Sequence, residues 1–372
     1  DRNEDPSEAP GGIRRNGRDK HPRGNNMSTF ISGTALKAVE RGWVPDSIVR
    51  NGIRSLCRQR MREIQIPKAQ QSQHLDEFVL SMGEAPVAPL VHKANEQHYE
   101  VPAEFFQQVL GAHLKYSSGY WGGVDSLDAA EAQALALSGA HADLQDGQQI
   151  LELGCGWGSL TLWMAKTYPG STVTAVSNSH SQRLFIEQRA IEAGLGNVRV
   201  ITADVNHFSI DQHFDRIVSV EMFEHLRNYA SIFDRVAGWL KPDGRFFMHI
   251  FCHYSTPYLF EDRDNTDWMS RYFFSGGMMP SIDLPLRFSR SLQCTERWNW
   301  SGVEYQKTAE AWLENLDRKK PQVLEIFEKT YGLGQAQIWV NRWRVFFMAC
   351  AELFGTRNGQ EWQVCHYLFD RR

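Results

Sequence analysis

The stretch Ile150-Leu151-Glu152-Leu153-Gly154-Cys155-Gly156-Trp157-Gly158-Ser159-Leu160 is the part of the chain that decides its expected fold. It is typical of a buried strand that ends in three glycines and leads directly into a helix. Glycines let the backbone turn tightly and approach a ligand that a Cβ would hold away, and N–H groups at the helix start then face that ligand. The stretch predicts a site for a nucleotide-like cofactor, although an ordinary strand-to-helix turn would also explain it.

The spacing of these glycines narrows the choice of cofactor. A dinucleotide fingerprint is G-x-G-x-x-G with an acid about 20 residues downstream. Here the spacing is G-x-G-x-G, and Glu152 stands two positions before the first glycine. This form resembles motif I of class I S-adenosylmethionine (SAM) methyltransferases, in which the acid faces the methionine end of SAM. The resemblance implies SAM as the cofactor.

The segments after the glycines alternate between strand and helix patterns. The sequence predicts helices over 159–167, 181–193 and 229–240, and strands over 172–176, 198–201, 214–220 and 245–250. A turn is predicted at 241–244, before the last of these strands. Alternating elements predict a doubly wound parallel sheet that binds ligands at the carboxyl ends of its strands. The expected fold class is α/β: a Rossmann-like class I SAM-dependent methyltransferase core with N-terminal helices and an inserted helical lid.

Three regions are expected along the chain. Residues 1–26 contain only Ala9 and Ile13 as apolar residues, so they are predicted to form a disordered tail, and Met27 is a candidate natural start. Residues 27–95 are predicted to form an N-terminal helical region and a linker, the linker covering 71–96. The SAM-dependent methyltransferase domain is expected over 96–372, with a lid insertion at about 252–345.

Composition excludes several classes of partner. A net charge of −4 argues against a nucleic-acid binder. Six scattered cysteines without a C-x-x-C pair favour reduced thiols in a cytoplasmic protein, and His249-x-x-Cys252-His253 lacks a second ligand pair, so no metal is expected. No apolar run approaches the roughly 18 residues that span a bilayer.

Arginines recur every four residues at positions 50, 54, 58 and 62. Two hypotheses explain this stripe. It is a solvated helix face, or it docks on anionic lipid.

A second resemblance begins before the glycines. The blocks His98-Tyr99-Glu100 and Tyr116-Ser117-Ser118-Gly119-Tyr120-Trp121, followed by the glycine motif, resemble the cyclopropane-fatty-acid synthase superfamily. The resemblance implies that Tyr99, Tyr116 and Ser117 reach over SAM. Asn178 and Gln182 are expected to bind its ribose, and Asp204 its adenine amino group. The expected cofactor site comprises Tyr99, Tyr116, Ser117, Glu152, Gly154, Gly156, Asn178, Gln182, Asp204, Val205 and Val220.

Within that superfamily, Val220-Glu221-Met222-Phe223-Glu224-His225 is similar to the E-x-F-E-H block of coclaurine N-methyltransferases and related alkaloid N-methyltransferases. Cyclopropane synthases usually place Gly where Glu221 stands. The resemblance implies that Glu221, Glu224 and His225 line the site of a small aromatic or alkaloid-like amine, with the Glu–His pair as general base. The alternative for the acids is helix capping. A homodimer is also considered.

The rival function is that of a cyclopropane-fatty-acyl-phospholipid synthase, which transfers the SAM methylene to an unsaturated acyl lipid and uses a bicarbonate ion as base. The resemblance matches Glu224, His249 and Tyr305 to bicarbonate ligands, with Ser118 in place of a Cys and Phe251 at a backbone contact. Cys350 matches a cysteine suspected of a catalytic role, the alternative being a buried structural thiol. A membrane surface is a partner only under this function. Candidate substrate-binding residues are His249, Tyr254, Tyr258 and Tyr305.

Overall fold

A seven-stranded sheet forms the core of the structure, a computed structural model that describes residues 33–89, 101–261 and 267–372. The strands are β1 (Gln149–Leu153), β2 (Thr172–Ser177), β3 (Val198–Thr202), β4 (Phe214–Val220), β5 (Leu240–His253), β6 (Tyr258–Leu259), β7 (Met278–Met279), β8 (Leu292–Trp300) and β9 (Trp362–Arg371). Seven of these nine strands form the central sheet, in the order β3-β2-β1-β4-β5-β9-β8, and β6 pairs with β7 in a separate two-stranded sheet. The strands β3 to β5 in this order are parallel, whereas β9 is antiparallel to both β5 and β8.

Helices pack against the sheet, and several of them precede its first strand in the chain. They are α1 (Gly33–Glu40), α2 (Asp46–Glu63), α3 (Gln71–Gly83), α4 (Ala103–Val109), α5 (Leu127–His141), α6 (Ser159–Thr167), α7 (His180–Glu192), α8 (Tyr229–Trp239), α9 (Trp268–Tyr272), α10 (Gly302–Arg318), α11 (Lys320–Tyr331) and α12 (Leu333–Phe354). The described residues all belong to one unit. The predicted tail at 1–26 and the predicted cofactor residue Tyr99 lie outside them.

The predicted strand and helix alternation is confirmed from β1 to β5. The predicted turn at 241–244 falls inside the range of β5. There the pairing with β4 shifts register, because Leu240 pairs with Phe214 and Arg245 pairs with Arg216. The turn residues therefore form an irregularity in the strand rather than a break before it.

The predicted linker over 71–96 is corrected by α3. Leu75 and Met82 of this helix are buried, and Phe78 and Val79 pack against the same core cluster. Their spacing of three and four residues places them on one helical face, which packs against α8. The first half of the segment is thus part of the folded core.

The predicted helical lid over 252–345 also needs correction. Helices α9 to α12 lie in or across this range, but β8 is an edge strand of the central sheet and β6 pairs with β7 as a small ribbon. Trp300 at the end of β8 is buried. The range is therefore partly sheet and only partly a helical cover.

Two arginines of the predicted stripe form ion pairs with helices α10 and α12. Arg50 makes two 2.7 Å hydrogen bonds to the Glu310 carboxylate and one of 3.0 Å to Glu352. Arg54 Nε donates to Glu352 at 2.6 Å. The guanidinium groups of Arg50 and Arg54 thus fix α2 to α10 and α12. The Arg50 side chain is 21% exposed and so is not a solvated group, whereas the Arg54 side chain remains 52% exposed.

Over the ranges that the structure describes, helices with the length and apolarity needed to cross a membrane do not occur.

Candidate functional site

Two adjoining cavities lie at the carboxyl ends of β1, β2 and β4. Their volumes are about 160 and 70 Å³, and Gly154, Gly156, Gln182, Met222 and His225 line both. Cofactor or substrate residues predicted from the sequence that line the larger cavity are Tyr116, Ser117, Glu152, Gly154, Gly156, Gln182, Val220, Glu221, His225, Tyr305 and Cys350. Those that line the smaller cavity are Gly154, Gly156, Asn178, Gln182, Val205 and His225. The structure therefore brings most of the predicted site together in one cleft.

The three motif glycines serve different purposes. All have positive φ, at 79° for Gly154, 52° for Gly156 and 80° for Gly158. A Cβ at Gly154 would meet the Met222 side chain at 2.8 Å, and one at Gly158 would meet Ile186 at 2.7 Å. A Cβ at Gly156 would meet nothing within 4 Å. Because Gly156 lines both cavities, that Cβ would occupy the space of a ligand, and only glycine leaves this space open. We call this position the glycine cradle.

Glu152 lies at the end of β1 and reaches the larger cavity. Its side chain is buried and accepts a short hydrogen bond from the Thr161 hydroxyl. Burial raises the pKa of Glu152 to about 7, and the Thr161 bond opposes that rise. A buried acid of this kind favours a positively charged ligand group, since the ligand's charge replaces the lost hydration.

The smaller cavity presents polar groups from the end of β2. Asn178 lines it, and the Gln182 side-chain oxygen accepts from the Ser177 hydroxyl at 2.7 Å. Asp204 is placed differently, because its Oδ1 accepts from the Asn206 N–H at 2.8 Å and so caps the next turn. Its neighbour Val205 supplies the cavity wall. This geometry suits a ribose and a flat base.

Lys115 is a site residue that the sequence analysis missed. It is 2% exposed, lines the larger cavity and donates to Ser117 Oγ at 2.5 Å and to the Ser118 carbonyl at 2.8 Å. Burial lowers the pKa of Lys115 to about 8, and the nearby Glu221 carboxylate opposes that shift. The sequence offered one signal that could have identified this residue, which is the presence of a lysine in the largely apolar run before Tyr116.

Glu221 is the most constrained residue of the cleft. Its φ is 48°, in the left-handed region that residues other than glycine rarely adopt. Its carboxylate accepts from the Ser118 N–H at 3.1 Å and from the Tyr305 hydroxyl at 2.7 Å. His249 Nε2 lies 3.1 Å from the same carboxylate. Burial raises the pKa of Glu221, while Lys115 and Tyr305 lower it.

Glu224 and His225 occupy different environments. Glu224 is fully buried and accepts from the Phe251 N–H at 2.7 Å, and burial together with the Glu221 charge raises its pKa strongly. His225 lines the cleft and stacks on Phe274 at 5.4 Å. Burial lowers the pKa of His225 to about 4, so its imidazole is neutral at pH 7.

The remaining predicted residues divide into two groups. Cys350 lines the larger cavity, but burial raises the pKa of its thiol, which keeps it protonated and argues against a nucleophile. Tyr254 is 46% exposed, and the Tyr258 hydroxyl accepts from Trp362 Nε1 at 3.0 Å. Neither tyrosine is among the residues that line the two cavities in the described part of the chain.

The chain is similar to known proteins over most of its length. Residues 90–364 match the family model described as mycolic acid cyclopropane synthetase. The chain is 35% identical to the (S)-coclaurine N-methyltransferase of Thalictrum flavum subsp. glaucum over 91% of this chain and 95% of that one. It is 34% identical to the pavine N-methyltransferase of the same plant over 91% of this chain and 96% of that one.

The structure also matches a solved enzyme. The crystal structure of coclaurine N-methyltransferase bound to N-methylheliamine and SAH has a TM-score of 0.88 and 34% identity. The match covers 91% of this chain and 99% of that one. SAH is the product that SAM leaves after methyl transfer, and the glycine cradle at Gly156 and the acid at Glu152 fit such a cofactor. The chain therefore belongs to the mycolic acid cyclopropane synthetase family of SAM-dependent methyltransferases, together with the coclaurine N-methyltransferases, and the cofactor of its cleft is SAM.

Proposed function

We propose that this enzyme methylates the nitrogen of a small aromatic or alkaloid-like amine and that the Glu221 carboxylate accepts the proton of the amine. The observation that carries the proposal is the set of groups around that carboxylate: the Ser118 N–H, the Tyr305 hydroxyl and His249 Nε2. The resemblance to cyclopropane synthases assigns these three positions to a bicarbonate ion. Here a side chain of the protein supplies the carboxylate that the ion would bring.

A built-in carboxylate suits an amine better than an alkene. SAM supplies a methyl group on a positively charged sulfur, and the acceptor must present a free lone pair in line with it. An amine that arrives protonated must first lose its proton, which a carboxylate beside the nitrogen can accept. An alkene carries neither a charge nor a proton to be removed before transfer, so Glu221 would contribute nothing to its binding.

The geometry favours Glu221 over Glu224 as the acceptor. Glu221 and His225 line the cavity, whereas Glu224 is fully buried and holds the Phe251 N–H. In this proposal Glu224 is a positioning residue that fixes the turn after β4 to β5. His225 is neutral and faces the cleft, so it is the second candidate base. The general base predicted from the sequence, the pair of Glu224 and His225, is therefore replaced in this proposal by Glu221, with His225 as the second candidate.

The apolar wall of the larger cavity supports an aromatic substrate. The aromatic rings in this wall include those of Phe260, Phe274, Trp312, Phe346 and Phe354. An aromatic face attracts a cation by about 0.5–1 kcal/mol at an exposed site and by about 2 kcal/mol when the pair is desolvated. The names of the relatives, which act on coclaurine and pavine, and the N-methylheliamine in the solved structure point to amines of the same kind.

The test offers methyl-labelled SAM to heliamine and other cyclic aromatic amines and, in parallel, to vesicles of unsaturated phospholipid, with and without bicarbonate. We expect labelled N-methylamine without any bicarbonate requirement and no label in the lipid. Glu221→Gln should bind SAM normally in calorimetry and lose methylation. Bicarbonate-dependent label in the lipid fraction would reject the amine assignment in favour of acyl-lipid transfer.

A further inference from the structure

Three histidines form a continuous series of hydrogen-bonding contacts that leads away from Glu221. His249 Nε2 lies 3.1 Å from Glu221 Oε1, and His249 Nδ1 lies 2.9 Å from His366 Nε2. His366 Nδ1 lies 2.8 Å from His141 Nδ1. We call His249, His366 and His141 the histidine chain.

The sheet itself aligns these rings. His249 on β5 and His366 on β9 are paired directly across the two antiparallel strands, so both side chains point to the same face. His141 is the last residue of α5, the helix that covers this face. The histidine chain therefore joins three elements that are remote in sequence.

The two inner rings are sealed from water. His249 and His366 are both 0% exposed. The Trp300 ring lies 4.2 Å from the His366 ring, and the Phe247 ring lies 5.0 Å from it. Burial lowers the pKa of both histidines far below its ordinary value, and the Lys115 charge adds to this. Each ring is thus neutral, with one N–H and one lone pair, which is the form that passes a proton on without retaining it.

The position of the outer ring, His141, suits proton exchange with solvent. His141 is half-buried at the C-terminal end of a helix, where the helix dipole favours a positive charge. Its ring stacks on Trp298 at 3.9 Å with an interplanar angle of 4°. These two features only partly offset burial, which lowers the pKa of His141 to about 4. The ring is therefore neutral at rest, and an imidazolium that forms transiently at this end gives up its proton readily.

We propose that the histidine chain is the route by which the proton of the amine leaves the closed cleft. The proposal rests on the proposed function, because only an acceptor that arrives protonated has a proton to discharge. SAM and the amine would fill the cleft in front of Glu221, so the path behind it through His249 remains. His249, His366 and His141 act through Glu221 and are positioning and proton-transfer residues rather than groups that touch the substrate.

The proton balance closes with neutral rings. The ammonium N–H bond breaks, its electron pair stays on nitrogen and the proton binds to Glu221. It then moves to His249 Nε2 while the His249 Nδ1 proton passes to His366 Nε2 and the His366 Nδ1 proton passes to His141 Nδ1. His141 Nε2 releases one proton to solvent. The transfers leave each ring with its N–H on the opposite nitrogen, so the three tautomers revert before the next turnover. The freed lone pair forms the N–C bond as the S–C bond breaks with its electrons kept by sulfur, so each turnover yields one methylammonium and one released proton.

The test compares His366→Gln, which keeps hydrogen-bonding capacity but cannot relay a proton, and His141→Ala with the native enzyme. At pH 7 an aliphatic amine with a pKa of about 10 is almost fully protonated. We expect kcat to fall at least tenfold in both variants, with unchanged SAM binding and unchanged KM for the amine. The ratio of native to variant kcat should shrink as the assay pH approaches the pKa of the amine, since a neutral amine has no proton to discharge.

Added imidazole separates a proton route from a structural role. At constant pH and ionic strength it should restore kcat to His141→Ala, whose defect is at the surface, and not to His366→Gln, whose defect is buried. The exposed His213→Ala variant is the control and should behave like the native enzyme.

The outcomes are distinguishable. A native enzyme inactive on every amine rejects the proposed function. An active native enzyme whose variants match it, or whose variants lose activity equally at all pH values without response to imidazole, rejects the histidine chain as a proton route. If His366→Gln does not fold, the imidazole response of His141→Ala decides alone.

Discussion

Glu221 shows at the scale of one residue why a strained backbone persists at a site. A left-handed conformation costs a residue with a side chain about 1–2 kcal/mol relative to its ordinary conformation. The φ of 48° is held because the carboxylate meets Ser118, Tyr305 and His249 at once. The resemblance places glycine here in cyclopropane synthases, where this backbone would be free of strain. The strain is thus tied to the added carboxylate.

The raised pKa of Glu152 predicts how the affinity for SAM depends on pH. Burial raises the pKa of Glu152 to about 7 in the free protein, so below pH 7 the carboxyl increasingly holds a proton. Because the charged amino group of SAM favours the ionised carboxylate, binding lowers that pKa and releases the proton. Affinity should therefore rise with pH up to about 7 and fall about tenfold for each unit below it.

Calorimetry at pH 5.5 and 7 measures this dependence. Glu152→Gln should bind SAM more weakly than the native enzyme at both values and with little difference between them. Equal affinity of the native enzyme at the two pH values would show that Glu152 does not ionise on binding.

At the scale of elements, the sequence predicted what is encoded locally. Strands β1 to β5 and helices α6 to α8 combine apolar runs, glycines and regular spacing within short segments, so the pattern alone located them. Strand β8 was missed because its residues are mostly exposed and carry no apolar alternation. It becomes a strand by pairing with β9, about 60 residues later, and such a partner is invisible to a local pattern.

Helix α3 was missed for a different reason. Its apolar residues at 75, 78, 79 and 82 have helical spacing, but Pro86 and Pro89 after it made the whole segment resemble a linker. The prolines mark where the helix has already ended.

The attachment of α2 predicts a stability effect. Arg50 bridges Glu310 and Glu352 while 21% of its side chain is exposed, so its charged hydrogen bonds are partly shielded from water. Arg50→Ala should lower the free energy of unfolding by about 1–3 kcal/mol. Arg58→Ala on the same helix is the matched control, because Arg58 is exposed, and should change it by less than about 0.5 kcal/mol.

Chemical denaturation measures both variants, and a double-mutant cycle with Glu352→Ala isolates the ion pair. Equal stability of the Arg50 and Arg58 variants would mean that α2 is held by its apolar face alone.

At the scale of the whole molecule, the site is assembled from distant segments. The resemblance identified the acids at 221 and 224 and the matching His249 and Tyr305. It implied that Tyr305 on α10 and His249 on β5 face one anion. It could not show that they meet the Glu221 carboxylate, since that contact depends on how α10 packs over the sheet. The pairing of His249 with His366 was likewise outside any local pattern.

In the proposed function, the Glu221 carboxylate lies where a bicarbonate ion would bind and accepts the proton of an amine. Glu221→Gly removes the carboxylate, relieves the backbone and leaves the Ser118 N–H, the Tyr305 hydroxyl and His249 facing an anion-sized gap. In buffer freed of carbon dioxide, this variant should methylate heliamine about 10²–10⁴-fold more slowly than the native enzyme. Added bicarbonate or formate should restore part of its rate.

The most direct measurement is therefore the rate of heliamine methylation by the native enzyme and by Glu221→Gly as bicarbonate is titrated. We expect a native rate that does not respond to bicarbonate and a variant rate that rises with bicarbonate to saturation. A native enzyme that requires bicarbonate, or a variant that keeps the full native rate without it, would contradict the claim.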